Sequence, residues 1–235
     1  MELTPDLTTF SVLAIGFALG LQHATEADHL AAVSTIVSEK KSLLTAAIVG
    51  GFWGVGHTIS LFVVGSLVIF LKVQISETVE ARLEAIVGGM LILLGINALR
   101  KLFTASKTHV HKHEHGEREH LHIHSHRDET ETSHHRFSPR SILIGMVHGL
   151  AGSAALMLLI LPTIPSPIVA MVYILIFGIG SVGGMMAMSF LIGLPLYFTA
   201  NRFDVLNKGI RLCAGVFSLG LGAFIVYEKL FLSAH

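Results

Sequence analysis

The chain has 235 residues, 52% of them hydrophobic and only 14% charged, with 16 basic and 16 acidic side chains in balance and a mean hydropathy of +0.69. Soluble domains carry about 25% charged residues, so this composition excludes an ordinary soluble globule, and the zero net charge excludes a basic field that recruits nucleic acid. The single cysteine, Cys213, excludes an intrachain disulfide framework and any multi-cysteine metal site.

The apolar residues gather into runs long enough to cross a bilayer, which needs about 20 of them per helix. Six spans are predicted, at residues 9–37, 43–71, 83–103, 141–161, 168–198 and 209–232. The expected fold is therefore all-α, a polytopic membrane protein in the cytoplasmic membrane with the lipid bilayer as its surroundings. The first span is too long, and residues 1–10 too poor in positive charge, for a cleaved signal peptide, so it is read as retained.

The first span carries the densest chemistry. His23-Ala24-Thr25-Glu26-Ala27-Asp28-His29 places four ionisable groups in seven residues between apolar flanks. One such group at the centre of a bilayer costs about 2.5–3.5 kcal/mol, so four together imply a site for a divalent cation or for protons. At roughly 100° per residue, Glu26 shares a broad helix face with His23 and His29, whereas Asp28 points away. Asp28 joins them only if the helix is broken, as in midplane ion sites built on unwound helices, or else serves another partner. The plainer alternative is a helix end at the headgroups, with these side chains facing water.

In the second span, His57 follows Gly54-Val55-Gly56 and precedes Thr58 and Ser60, while Gly16 to Gly20 and Gly180 to Gly184 are small-xxx-small pairs for helix contact. Residues 104–138 then hold ten histidines and eleven charged residues with few apolar ones. That composition predicts a disordered loop. Its alternating runs, His109, His111, His113 and His115, then His120, His122, His124 and His126, form an auxiliary metal-binding set, since neutral imidazole is the commonest metal ligand.

The fourth span carries His148 near its start, followed by Gly149, Ala151, Gly152 and Ser153, small residues that let another helix approach. The fifth carries Met185, Met186 and Met188, which packing explains better than soft-metal chemistry, and Pro195, a candidate kink. Basic residues set orientation. Thirteen fall in loops on one side, and only Lys72, Arg82 and Lys229 on the other. Both termini are expected outside, with the histidine-rich loop in the cytoplasm.

The chain also repeats itself. Gly20-Leu21-Gln22-His23 corresponds to Gly145-Met146-Val147-His148, Phe52 to His57 corresponds to Ile176 to Ser181, and Gly88 and Gly95 correspond to Gly215 and Gly222. Three spans per repeat is an odd number, so the halves are expected to be inverted, a frequent plan of secondary transporters. The expected organisation is a three-helix repeat over 1–103, the loop over 104–138 and a second three-helix repeat over 139–235.

The stretch His23 to Leu30 resembles the signature of the nickel/cobalt transporter superfamily, a His followed after four residues by Asp-His in an early membrane helix. Gly56-His57-Thr58 is similar to that family's second motif, and His148 to Ala154 to a segment of its short six-helix branch, which includes urease-associated nickel permeases. Glu26 stands where the signature usually has Asp, and Gln22 where it often has Arg. The resemblance implies secondary transport of Ni²⁺, or next Co²⁺, as substrate, with His23, Asp28, His29 and His57 lining the path and no permanently bound cofactor. It favours uptake over nickel/cobalt efflux, and no enzymatic activity. It also implies a cytoplasmic metallochaperone or urease-maturation factors as partners. Glu26 and His148 complete the candidate ligands. Imidazole with carboxylate suits such ions, and a site without thiolates can release them. Two other classes compete: a membrane-embedded acyltransferase or hydrolase using His23 and Asp28, or Ser181, and a sensor or chaperone acting through the loop alone.

Overall fold

A computed structural model describes residues 7–38, 40, 42–72, 76–104, 139–151, 164, 166–200 and 203–232. The histidine-rich loop, with His109, His111, His113, His115, His120, His122, His124 and His126, lies outside the described residues, as does the second half of the fourth predicted span.

Among the described residues there are seven α-helices and no strand: α1 (Leu7–His23), α2 (Ala27–Val37), α3 (Leu43–Leu71), α4 (Glu77–Thr104), α5 (Pro139–Ala151), α6 (Pro167–Thr199) and α7 (Asp204–Tyr227). A π-helical turn, Glu228–Leu232, extends α7. Four helices are long and apolar enough to cross a membrane: α3, α4, α6 and α7 with its extension. The ends follow local chemistry. Ser166 caps α6 by accepting from the Val169 amide, with Pro167 in the first turn, where its missing N–H costs nothing. α3 stops at Lys72, the one described non-glycine residue with positive φ.

The first span differs from the expected continuous helix. It is two helices, and residues 24–26 break it. The Thr25 amide and hydroxyl both donate to the Gln22 carbonyl (2.8 and 2.6 Å). Glu26 is extended (φ −64°, ψ 151°) and starts α2.

Outward-facing Leu93, Val216 and Phe190 are strongly exposed, while Trp53, Tyr173, Phe177 and four histidines are buried. This apolar exterior around a partly polar interior suits lipid rather than water.

Small residues bring the helices to backbone contact, and the contacts come in matched pairs. α1 lies along α6: a methyl group on Gly20 would strike the Phe177 carbonyl, one on Gly180 the Phe17 carbonyl, and one on Gly184 the backbone of Leu21. α5 lies along α3: Gly145 meets the Trp53 carbonyl, Gly56 meets the Ile142 carbonyl, and Ser60 donates to the Met146 carbonyl (2.8 Å). Trp53, Gly56 and Ser60 stand 124 positions before Phe177, Gly180 and Gly184, and Phe17, Gly20 and Leu21 stand 125 before Ile142, Gly145 and Met146. α3 and α6 run antiparallel, with Gly54 on Val182 and Thr58 on Gly178. α4 and α7 do the same, with Gly88 on Gly222 and Gly95 on Gly215.

Candidate metal centre

The break at residues 24–26 is what assembles the site. His23 closes α1, and the extended Glu26 resets the helical phase so that Asp28 and His29 open α2 toward the same interior point. α3 contributes His57, and α5 contributes His148 from the other half of the chain. All four histidines are at most 1% exposed.

His29 is the hub. Its ring centroid lies 4.3 Å from that of His23, 4.2 Å from His148 and 5.3 Å from His57. Ligand atoms of His23, His29 and His57 lie within 4.8 Å of one another, and so do those of Asp28, His29 and His148. Two three-ligand sets thus share one imidazole. His23 Nε2 and His57 Nε2 approach to 3.2 Å, close to the separation of two nitrogens each about 2.0–2.1 Å from a common ion.

Asp28 ties the sets together. Its Oδ1 accepts from the His29 backbone N–H (2.9 Å) and lies 3.0 Å from His29 Nδ1, while Oδ2 lies 2.9 Å from His148 Nε2. A carboxylate on Nδ1 fixes the tautomer and leaves the other nitrogen as a lone-pair donor. His29 Nε2 is buried without a hydrogen-bond partner among the described residues, as are His57 Nδ1 and His148 Nδ1. Buried polar atoms are normally satisfied, so the unpaired nitrogen of the hub histidine suits a metal ligand. Glu26 stands one step outward: its Oε1 is 2.8 Å from His23 Nδ1, and its side chain is 40% exposed.

Of the six membrane residues singled out by sequence, five converge directly and Glu26 flanks them. Two neighbours were missed. Trp53 packs its indole 5.3 Å from both His29 and His148, and Phe177 lies 5.5 Å from His23. Together they wall the cluster with aromatic surface. The Phe52-Trp53-Gly54 motif carried the signal for Trp53, but a lone membrane tryptophan reads equally as packing.

The enzyme readings find little support. The hydrogen bonds of Asp28 go to His29 and His148, and Ser181 Oγ, fully buried, has no hydrogen-bond partner among the described residues. A nucleophile needs a base within hydrogen-bond reach.

Four membrane-length helices, packed with shorter ones around buried imidazoles and a carboxylate, mark a membrane protein with a histidine-rich interior cluster. Over 224 residues the chain is 38% identical to urease accessory protein UreH of Bacillus sp. (strain TB-90), an alignment covering 93% of this chain and 91% of that protein. The chain belongs to the UreH family of urease accessory proteins. It is also 25% and 24% identical to the chloroplast proteins FOR GROWTH AND FERTILITY 2 and 1 of Arabidopsis thaliana. Those alignments cover 92% of this chain but only 56% and 59% of the plant proteins. No family model matches the chain, and no solved structure does.

Proposed function

We propose that this protein is a secondary transporter that moves a divalent transition metal, Ni²⁺ first and Co²⁺ next, across the cytoplasmic membrane, in the direction of uptake. The observation that carries the reading is His29, shared between two ligand sets at the break of a membrane helix. A site with two overlapping positions for one ion can pass that ion between them, and conduction needs binding that is favourable yet divisible. Imidazole and carboxylate donors suit Ni²⁺, and a tie to urease in the relative's name agrees with a nickel cargo.

His23, His29 and His57 form one station, and Asp28, His29 and His148 the other, with Glu26 at the rim. Asp28 also orients both of its histidines. Histidine ligands bind metal only in the neutral form, so protons compete with the metal for the site.

Six spans arranged as two inverted three-helix repeats, over 1–103 and 139–235, complete the reading. The matched contacts at offsets of 124 and 125 support it. So do the helix directions: α1 runs with α6 and α5 with α3, while α3 opposes α6 and α4 opposes α7, as in a chain that crosses six times in alternation. The basic residues favour termini outside and a cytoplasmic 104–138 loop, where histidines hand metal to or from a metallochaperone or urease-maturation factor.

The test is uptake of radioactive nickel by cells expressing the wild type, His23→Ala or His57→Ala at matched levels, with excess Co²⁺, Zn²⁺, Mn²⁺ and Fe²⁺ as competitors. Accumulation above empty cells, lost in both variants and competed best by Co²⁺, is expected. Accumulation below empty cells would reverse the direction, and no histidine-dependent change for any metal would end the transport reading.

A further inference from the structure

The histidine cluster is not sealed on every side. A cavity of about 240 Å³ lies between α2, α4 and the end of α7, lined by Glu26, Asp28, Glu84, Val87, Ile225 and Lys229. It has room for several waters, and it reaches from the carboxylate of the ligand cluster to an ion pair between Lys229 Nζ and Glu84 Oε2 (2.5 Å). Both partners sit on membrane-length helices, and their side chains are only 29% and 21% exposed. Ionisable groups so placed are costly and tend to mark ion pathways.

The charge on the cavity wall fits a particular ligand. Three carboxylates, Glu26, Asp28 and Glu84, face one ammonium, which leaves a formal charge of −2 when all are ionised. That is the complement of one divalent cation. Half-buried as it is, this pair adds little to stability, and stability alone gives no reason for it to share a space for several waters with the carboxylate of the metal cluster.

We infer that this cavity is the access route of the hydrated divalent cation, with Glu84 as its outer carboxylate and Lys229 as the resident counter-ion that the arriving cation displaces. Lys229 holds the place of the ion while the route is empty, so Glu84 is never left as an uncompensated charge. An ion that arrives competes for Glu84, sheds water against Glu26 and Asp28, and passes to His29. A monovalent ion competes less well with the ammonium, so the pair also filters by charge. This assignment rests on the transport reading, and it adds two residues that the histidine motifs do not contain.

Two experiments test it together. The first compares nickel uptake kinetics of Glu84→Gln, Lys229→Gln and the double variant, each with its thermal stability in detergent. A route residue predicts that Glu84→Gln raises KM on the order of tenfold through lost focusing of the cation. The double variant keeps that raised KM although it folds like the wild type. A double variant that regains the wild-type KM reduces the pair to a structural contact and overturns the inference. The second experiment needs no transport. In a Cys213→Ser background, which removes the chain's own thiol, Ile225→Cys in lipid nanodiscs is treated with cationic and anionic methanethiosulfonates. A cationic-to-anionic rate ratio above that of a free thiol in solution, lowered by Glu84→Gln and with the cationic reaction slowed by added Ni²⁺, is expected; a ratio equal to that of the free thiol overturns the inference. A cation-preferring cavity in a chain without histidine-dependent flux would remove the transport reading and leave the cation cavity standing.

Discussion

Asp28 Oδ2 lies 2.9 Å from His148 Nε2, joining residues 120 positions apart. This one contact couples the first helix break to the second half of the chain, and it places a carboxylate between the two histidines it serves.

Asp28→Asn keeps the side-chain shape but removes the charge, and it leaves one oxygen to serve two imidazoles. Loss of a carboxylate that orients metal-bound histidines costs about 10–100-fold in affinity or activity. Nickel uptake should fall within that range while protein abundance stays close to wild type. A drop smaller than threefold would remove Asp28 from the pathway.

The only tryptophan of the chain, Trp53, is a built-in reporter. Its ring is 5.3 Å from His29 and from His148, well within reach of quenching by a paramagnetic ion. Titrating purified protein with Ni²⁺ or Co²⁺ should quench its fluorescence saturably, and His29→Ala should abolish the response. Zn²⁺, which is diamagnetic, should quench far less at equal occupancy.

The glycine contacts predict a matched pair of packing defects. Gly20→Leu and Gly145→Leu each force a side chain into a facing carbonyl, at Phe177 and at Trp53, and overpacking of this kind costs about 1–3 kcal/mol. Both should lower the melting temperature by similar amounts. Gly89→Ala, which meets nothing within 4 Å, should leave it unchanged or raise it slightly, since alanine favours the helix by about 0.5–1 kcal/mol.

Deleting residues 109–135 should leave nickel transport in place with altered affinity or regulation, because the histidine ligands within the membrane remain. Complete loss of transport would show that the loop belongs to the pathway itself.

Much of this arrangement is legible in the residues. α3 matches its predicted span of 43–71 because its apolar run is uninterrupted and bounded by Ser42 and Lys72. The convergence of His23, Asp28 and His29 follows from the seven-residue motif once a break is allowed, and helical phase alone says that Asp28 requires one. The packing partner of each helix is not legible, because a glycine row announces a close contact without naming the other side. Glu84 and Lys229 escape for a different reason. Each sits near the end of an apolar run, where a charge reads as a helix boundary, and only the fold brings them to one cavity with Asp28.

The exchange of partners between halves has a consequence for how the protein is made. α1 lies along α6 and α5 along α3, so the helix that delivers His23 stays without its neighbour until more than 170 residues have been synthesised. The ribosome therefore releases an incomplete cluster, short of His148 and without the Phe177 wall, for most of translation. A nascent first half inserted in the membrane carries His23, His29 and His57 but neither His148 nor the aromatic wall from α6, so the cluster is completed only when the second half arrives.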